Sequence, residues 1–559
     1  MSTVTGTAPG EPQATLNYTT SEAGNPFVEG WYADPGSAIY DGVFWVYPTS
    51  SYAYEEQTYI DAFSSPDLIN WTKHPNVLTI SNVAWATKAL WAPTPISRNG
   101  KYYLYFSAND IQEDEAGKVG GIGVAVADKP EGPFIDAIGK PLIGSYHNGA
   151  QPIDQDVFID DVDGKAYIYY GGHSHANVAI LNEDMISIGT FDDGTTFKEI
   201  TPKTYVNGAR MFKRNGIYYF MWSEGSWTGP DYCISYAMAD NPLGPFDGLA
   251  TILQQDSAVA TGTGHNSVIH VPETDIWYIL YHRRPLSETE RDHRTLAYDR
   301  MYFNDDGTIQ PIAMLVKDNF ADGAMLDWTT YGGEWSVEGK RLTAKDTVGG
   351  MAMLDTNFTD QVFDATVATI KGNGHPGLLF RVTELSRTTH KYKGYKAAIS
   401  PSGVITLGKA DLGTFTDLAQ TRMDMVLGKE YHVRVVAIGS DIKIFVDDMD
   451  KAKIQCTDES FVTGANGVRV FNAAAQFGSV SVAKPQYSQS QRQAPSVISW
   501  GDSSSTSSLD NVPDKLLIHY DLDTLNREGK SEVKQPRFSL SHLFCGTKRL
   551  FKINRIPKS

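Results

Sequence analysis

Between residues 30 and 315 the chain repeats one short pattern five times, and that repetition constrains the fold more than any other feature. A two-residue turn enters a strand crowded with aromatics. The copies are Asp41-Gly42 before VFWVY, Asn99-Gly100 before KYYLYFS, Asp163-Gly164 before KAYIYYGG, Asn215-Gly216 before IYYFMWS, and Thr274-Asp275 before IWYILYH. Asn-Gly and Asp-Gly tolerate positive φ and suit hairpin turns, and the aromatics that alternate after them suit half-buried strands. A second echo follows: AVADKPEGPF (125–134) and AMADNPLGPF (237–246) nearly repeat, and AFSSPDLINW (62–71) does so more loosely. A unit of about four strands returning every ~60 residues is a propeller blade, whose radial stacking protects the sheet edges. Five hairpin cores predict five blades. A pair of sandwiches would leave the near-repeats at matching positions to chance.

From about Lys317 the register changes. GLLFRV, YKAAIS, GVITLGKA, IKIFVDD and GVRVFN are short strands separated by glycine-punctuated turns. They predict a β-sandwich, with jelly-roll topology as the leading arrangement. The boundaries read as a flexible segment 1–24, a propeller 25–316, a sandwich 317–484, and a disordered low-complexity linker and basic tail 485–559. The last 35 residues carry nine Lys/Arg against two Asp/Glu. Almost no linker separates QPIAMLVKD from DNFADG, which favours a rigid propeller–sandwich pair over independent movement.

Composition removes several functions. A formal charge of −18 over 559 residues argues against a general nucleic-acid binder. No apolar run approaches the ~18 residues that cross a membrane. Cys233, Cys456 and Cys545 are far apart and form neither a metal spacing nor a C-x-x-C motif. Met1–Ala14 lacks the basic and apolar regions of a signal peptide. The sequons at Asn17, Asn70 and Asn357 are short enough to be chance.

Chemistry in a propeller belongs in the central funnel, where inner strands begin. Asp34 stands there in WYADPG, Asp154 in PIDQDVFIDDVDGKAYIYYG, and Asn207 at the corresponding place in YVNGARMFKRNGIYYF. The carboxylates that crowd after Asp154, namely Asp156, Asp160, Asp161 and Asp163, read as mostly solvated.

These segments, with LWAPTP (90–95) and GTGHNSVI (262–269), resemble glycoside hydrolase family 43 over about residues 25–315. The resemblance implies a five-bladed propeller that hydrolyses arabinose- and xylose-containing plant polysaccharides with inversion. MFKRNGIYYFMWSEGSWTGPDY together with GTGHNSVI is most similar to fungal α-L-arabinofuranosidases that trim arabinoxylan. β-Xylosidase, endo-arabinanase and a non-catalytic carbohydrate-binding propeller are the alternatives. An inverting glycosidase sets two carboxyl groups ~6.5–9.5 Å apart so that a water fits between sugar and base. By resemblance Asp34 is the base, and Asp154 is the third carboxylate that raises the acid's pKa and orients it. The family's acid is a glutamate where this chain has Asn207. An amide has no proton to give, and general acid catalysis contributes ~10²–10⁴-fold, so turnover is expected to be impaired. Glu224 is expected to be structural or substrate-contacting rather than the acid.

Further expectations rest on the same likeness. His265 matches a histidine on the propeller axis near a water-coordinated ion, often calcium, and no cofactor is otherwise required. Arg294 matches an arginine that reaches sugar hydroxyls or the acid. Trp91 and Trp227 are candidate stacking platforms, since an aromatic face covers the apolar side of a sugar; Trp222 suits the core. The expected partner is plant cell-wall polysaccharide, with neither nucleic acid nor membrane, acted on by an extracellular monomer.

Overall fold

The computed structural model describes residues 24–485, apart from 114, 116, 249, 348 and 387–390. The segment expected to be flexible, up to residue 23, and the low-complexity and basic stretch from 486 lie outside the described residues. Apart from one 3₁₀ turn, Ile80–Asn82, the regular elements are strands.

Five antiparallel sheets follow one another along the chain, each with its strands in sequence order. The first comprises Tyr32–Tyr40, Val43–Ser50, Tyr59–Ser65 and Thr72–Thr79; the second begins at Trp91–Arg98, the third at Asp156–Ile159 and the fourth at Asn207–Arg214. The fifth has three strands only, Thr261–His270, Trp277–Arg284 and Thr295–Met301. Four of the turns that set the repeat place glycine at positive φ: Gly42 at 77°, Gly100 at 72°, Gly164 at 69° and Gly216 at 83°. Open space surrounds each, so backbone conformation rather than crowding selects glycine there.

Five apolar clusters fill the five gaps between neighbouring blades. Leu78 meets Leu104 between blades one and two, Tyr105 meets Ile168 between two and three, and Tyr169 meets Phe220 between three and four. Met221 meets Ile279 between four and five. The last gap closes the ring, with Phe27, Val28 and Val46 against Tyr278, Leu280 and Tyr298. No strand is shared across this seam. Instead the Asn25 side chain copies a strand's hydrogen bonds: Nδ2 donates to the Tyr298 carbonyl at 3.0 Å, and Oδ1 accepts from the Tyr298 N–H at 3.1 Å.

Beyond the propeller two sheets face one another. An eight-stranded sheet includes Gln361–Gly372, Glu430–Ile438 and Ala473–Ala483; a seven-stranded sheet includes Gly377–Thr383, Lys393–Ile399 and Ala465–Val470. Phe363, Val367, Phe380 and Tyr395 meet between them. The predicted alternation holds in Asp441–Val446, where Ile442, Ile444 and Val446 are buried. Ala258, Val259 and Ala260 of the propeller join this core. Asp355 accepts from both N–H and Oγ of Ser287 at 2.9 Å, the Asn357 N–H donates to the Ala258 carbonyl at 2.9 Å, and Lys484 pairs with Asp256 at 2.7 Å.

Candidate active site

The funnel is built by a device that recurs in every blade. At the head of each inner strand one residue takes the left-handed conformation: Asp34 (φ 47°), Ala92 (43°), Asp154 (55°), Gly208 (71°) and His265 (42°). In blades one, two, four and five the strand pairing slips at the same point. Such a bulge re-aims a side chain, here toward the axis. An L-residue is strained there, so something must hold it. The holder is the seventh residue after the hairpin turn of the preceding blade. Thr49 Oγ1 accepts from the Ala92 N–H (2.8 Å), Ser107 Oγ from Asp154 (3.1 Å), Ser223 Oγ from His265 (2.9 Å), and His282 Nδ1 from Asp34 (3.2 Å). Blade three has Gly171 in that place and blade four has the permissive Gly208.

The left-handed turns bring Asp34, Asp154 and His265 together, and Arg294, just ahead of the strand Thr295–Met301, joins them; all four are largely buried. Asp34 Oδ1 lies 3.2 Å from Arg294 Nη1 and 3.6 Å from His265 Nδ1, and that same nitrogen is 3.8 Å from Asp154 Oδ2. Burial pushes Asp34 up, but the charges of Arg294 first and His265 next outweigh it and hold its carboxyl well below the usual range. Asp154 is pushed up to about 6, by burial first and by the negative charges of Asp34 and Asp110, against the opposing pull of His265 and Arg294. One carboxylate is thus fixed as an anion while its neighbour can carry a proton in mildly acidic solution.

Asn207 lies on the same rim, beside Gly208, where an added Cβ would sit 3.5 Å from the His265 ring. Its Oδ1 accepts from the buried Tyr232 hydroxyl at 3.3 Å. Glu224 does not join the cluster. Ser223, its neighbour, faces His265, so Glu224 points to the other side of the strand, where its Oε1 accepts from Thr204 Oγ1 at 2.5 Å. Trp227, on a loop, carries the guanidinium groups of Arg291 and Arg294 at 5.1 and 5.0 Å from its ring centre. Trp91 is half-buried, edge-on to Tyr54 at 4.8 Å, with its indole N–H on Gln57. Trp222 is fully buried.

One expectation needs correction. Asp156 and Asp160 are not solvated: Asp156 accepts from Arg210 and the Met211 N–H at 2.9 and 2.8 Å, and Asp160 from Lys213 and Tyr218 at 3.2 and 2.9 Å. Both tie blade three to blade four, which explains why charge can be buried there. Asp161 and Asp163 are exposed, as alternation at a turn implies. Among the described residues no three His, Cys, Asp or Glu side chains converge to hold a metal ion. Sequence reasoning missed His282 and Tyr232. The signal for His282 was present, since it occupies in YHRR the place of Thr49, Ser107 and Ser223.

The description "Glycosyl hydrolases family 43" matches residues 23–309. The chain is 47% identical over 322 residues to the β-D-galactofuranosidase xynD of Aspergillus niger, covering 55% of this chain and 90% of that protein. It is 30% identical to a xylosidase/arabinosidase of Bacteroides ovatus, over 50% of this chain and 94% of the relative. An arabinoxylan arabinofuranohydrolase of Paenibacillus polymyxa is 27% identical over 50% of each chain. Among solved structures, a β-xylosidase/α-arabinofuranosidase from a compost microbial metagenome shares 29% identity over 52% of this chain and 98% of its own, with a TM-score of 0.44. The family match spans more than half the chain, and the chain belongs to glycoside hydrolase family 43.

Proposed function

We propose that the protein is an inverting, exo-acting hydrolase that releases α-L-arabinofuranosyl side chains from arabinoxylan. The observation that carries this reading is the electrostatic split between Asp34 and Asp154. Asp34, kept ionised by Arg294, takes the proton of the attacking water; Asp154 adjusts the charge and geometry of the leaving-group side. Inversion sets the water and the leaving oxygen on opposite faces of the sugar. Asn207 occupies the leaving-group side and supplies no proton, so substrates with acidic leaving groups turn over best. Trp227, braced by two arginines, and Trp91 offer the aromatic faces a sugar stacks on. The reaction uses no organic cofactor, and a cell-wall polymer as substrate makes the protein extracellular.

A second reading is a β-D-galactofuranosidase, favoured by the 47% identity to the Aspergillus niger relative. β-D-Galactofuranose and α-L-arabinofuranose share a ring configuration and differ in the exocyclic chain, so one funnel can be shaped for either. A third, binding without turnover, rests on Asn207 alone. Incubation with arabinoxylan and with the 4-nitrophenyl glycosides of α-L-arabinofuranose, β-D-galactofuranose and β-D-xylose, which share one leaving group, separates these. Arabinose from arabinoxylan or from its aryl glycoside supports the first reading. Galactose alone, or xylose alone, among the aryl glycosides overturns it, and calorimetric binding without any product leaves the third.

A further inference from the structure

We propose that His282 is a positioning residue for Asp34, holding the carboxylate on the funnel axis by accepting the hydrogen bond of its strained backbone. The inference rests on the reading of Asp34 as the base. His282 is fully buried, yet the resemblance that singled out His265 and Arg294 gave it no part.

Its Nδ1 is 3.2 Å from two atoms of one residue, the Asp34 backbone nitrogen and Asp34 Oδ1. One nitrogen cannot accept from the first and donate to the second at once. The other blades decide between them. Thr49, Ser107 and Ser223 hold the same place in their strands, and each accepts from the backbone N–H of the left-handed residue in the next blade. By that equivalence His282 Nδ1 is the acceptor and the proton sits on Nε2. Burial, reinforced by Arg294, lowers the imidazole to about 3, so the ring is neutral and the acceptor lone pair is present at any working pH. The charge of Asp34 is then left to Arg294 and His265.

The ring also packs. It lies nearly parallel to the Tyr232 ring, with centroids 5.8 Å apart and planes at 16°, and the Tyr232 hydroxyl donates to Asn207 Oδ1. A hydroxyl in this place would cap Asp34 but reach nothing further. Imidazole does both, and joins the base to the leaving-group position through one buried stack.

Two substitutions separate the parts. His282→Asn keeps an acceptor atom where Nδ1 stands and loses the ring; His282→Phe keeps the ring and loses the acceptor. The substrate is 4-nitrophenyl α-L-arabinofuranoside, whose leaving group needs no acid, so the amide at 207 does not mask the base. The H282F protein is expected to lose ~10²-fold in kcat/KM with KM little changed, the effect of a catalytic group displaced by about an ångström. The H282N protein is expected to stay within about tenfold of the parent. Carboxyl-carbon NMR of Asp34 reads the same contrast without turnover. The signal stays ionised down to pH 3 in the parent and in H282N, and titrates at or above pH ~4 in H282F, where Asp34 is released from Arg294 while still buried. Thr49→Ala, which frees Ala92 instead, leaves the Asp34 signal ionised. The inference is overturned if H282N loses as much as H282F, or if H282F leaves both rate and titration unchanged. If the NMR contrast appears while neither the parent nor the Asn207→Glu protein cleaves any furanoside, the positioning role stands and the proposed function falls.

Discussion

Arg294 lies with its guanidinium carbon 5.0 Å from the centre of the Trp227 ring while its Nη1 reaches Asp34 Oδ1 at 3.2 Å. The proposed sugar platform and the charge of the proposed base therefore share one side chain. Cation–π contacts of this kind contribute ~0.5–2 kcal/mol. Trp227→Ala is expected to raise KM and also to move the acid limb of the pH–rate profile upward, because Arg294 gains freedom to leave Asp34. Kinetics from pH 3 to 8 test this; a change in KM with an unmoved acid limb would separate the two roles.

Restoring the acid should restore turnover. Asn207→Glu is expected to raise kcat on arabinoxylan by ~10²–10⁴-fold, with a much smaller gain on 4-nitrophenyl substrates. Product release measured on both substrates gives the ratio. Equal gains would place the rate-limiting step away from leaving-group protonation.

Stability should fall as pH rises through the mildly acidic range. The Asp154 carboxyl is raised to about 6, and those of Asp318, buried, and Asp327, half-buried, at the propeller–sandwich junction to about 7. A carboxyl raised in the folded state contributes stability that is complete below its unfolded pKa of ~4 and is lost as pH climbs through the folded value. Asp34 runs the opposite way, and its contribution disappears only below pH ~4. Asp154→Asn is therefore expected to raise the Tm at pH 7 and to change it little at pH 4. Calorimetric melts at both pH values decide, and an equal shift at both would contradict the assignment.

The sandwich should brace the rim of the funnel. Asp355 holds Ser287, and the loop from Ser287 leads to Arg291 and Arg294. Asp355→Ala is expected to cost about 1 kcal/mol for two exposed charge-assisted hydrogen bonds and to raise KM more than it lowers kcat. A fragment of residues 1–316 should melt well below the full chain. A fragment as thermostable as the whole protein would make the sandwich a separable unit.

Chelation tests the axial ion. If calcium is held through water at His265, EDTA should lower both activity and Tm, and added calcium should restore them. Unchanged melts in EDTA would remove the ion from this protein.

The five blades were legible because hairpin chemistry is local: Gly42, Gly100, Gly164 and Gly216 each declare a turn, and the aromatics after them declare a strand. The place of Asp34, Asp154 and Asn207 was legible from the hairpins that follow them, their roles only through family likeness, and nothing local marks Asp34 or Asp154 as adopting positive φ. Their strain is met by residues one blade away, and in the case of His282 and Asp34 at opposite ends of the propeller. Asp156 and Asp160 were misread for the same reason, since their cations, Arg210 and Lys213, come from the next blade. That blade five has three strands among the described residues left no mark in the turn pattern.

The seam between blades one and five has a mechanical consequence. The other four gaps are crossed by the chain running from one blade to the next, whereas this one is closed by the segment ahead of blade one, with the Asn25 amide gripping Tyr298 and the Tyr32 N–H donating to the Arg294 carbonyl at 2.8 Å. The ring is buckled rather than welded. Gly24, Asn25 and Pro26 share a small cavity with Arg283 of blade five and with Asp318 and Asp327 of the sandwich, so the second domain sits over the buckle. Pulled from its two ends, the molecule should shed the sandwich first and then open at Asn25, with blades one to four still stacked.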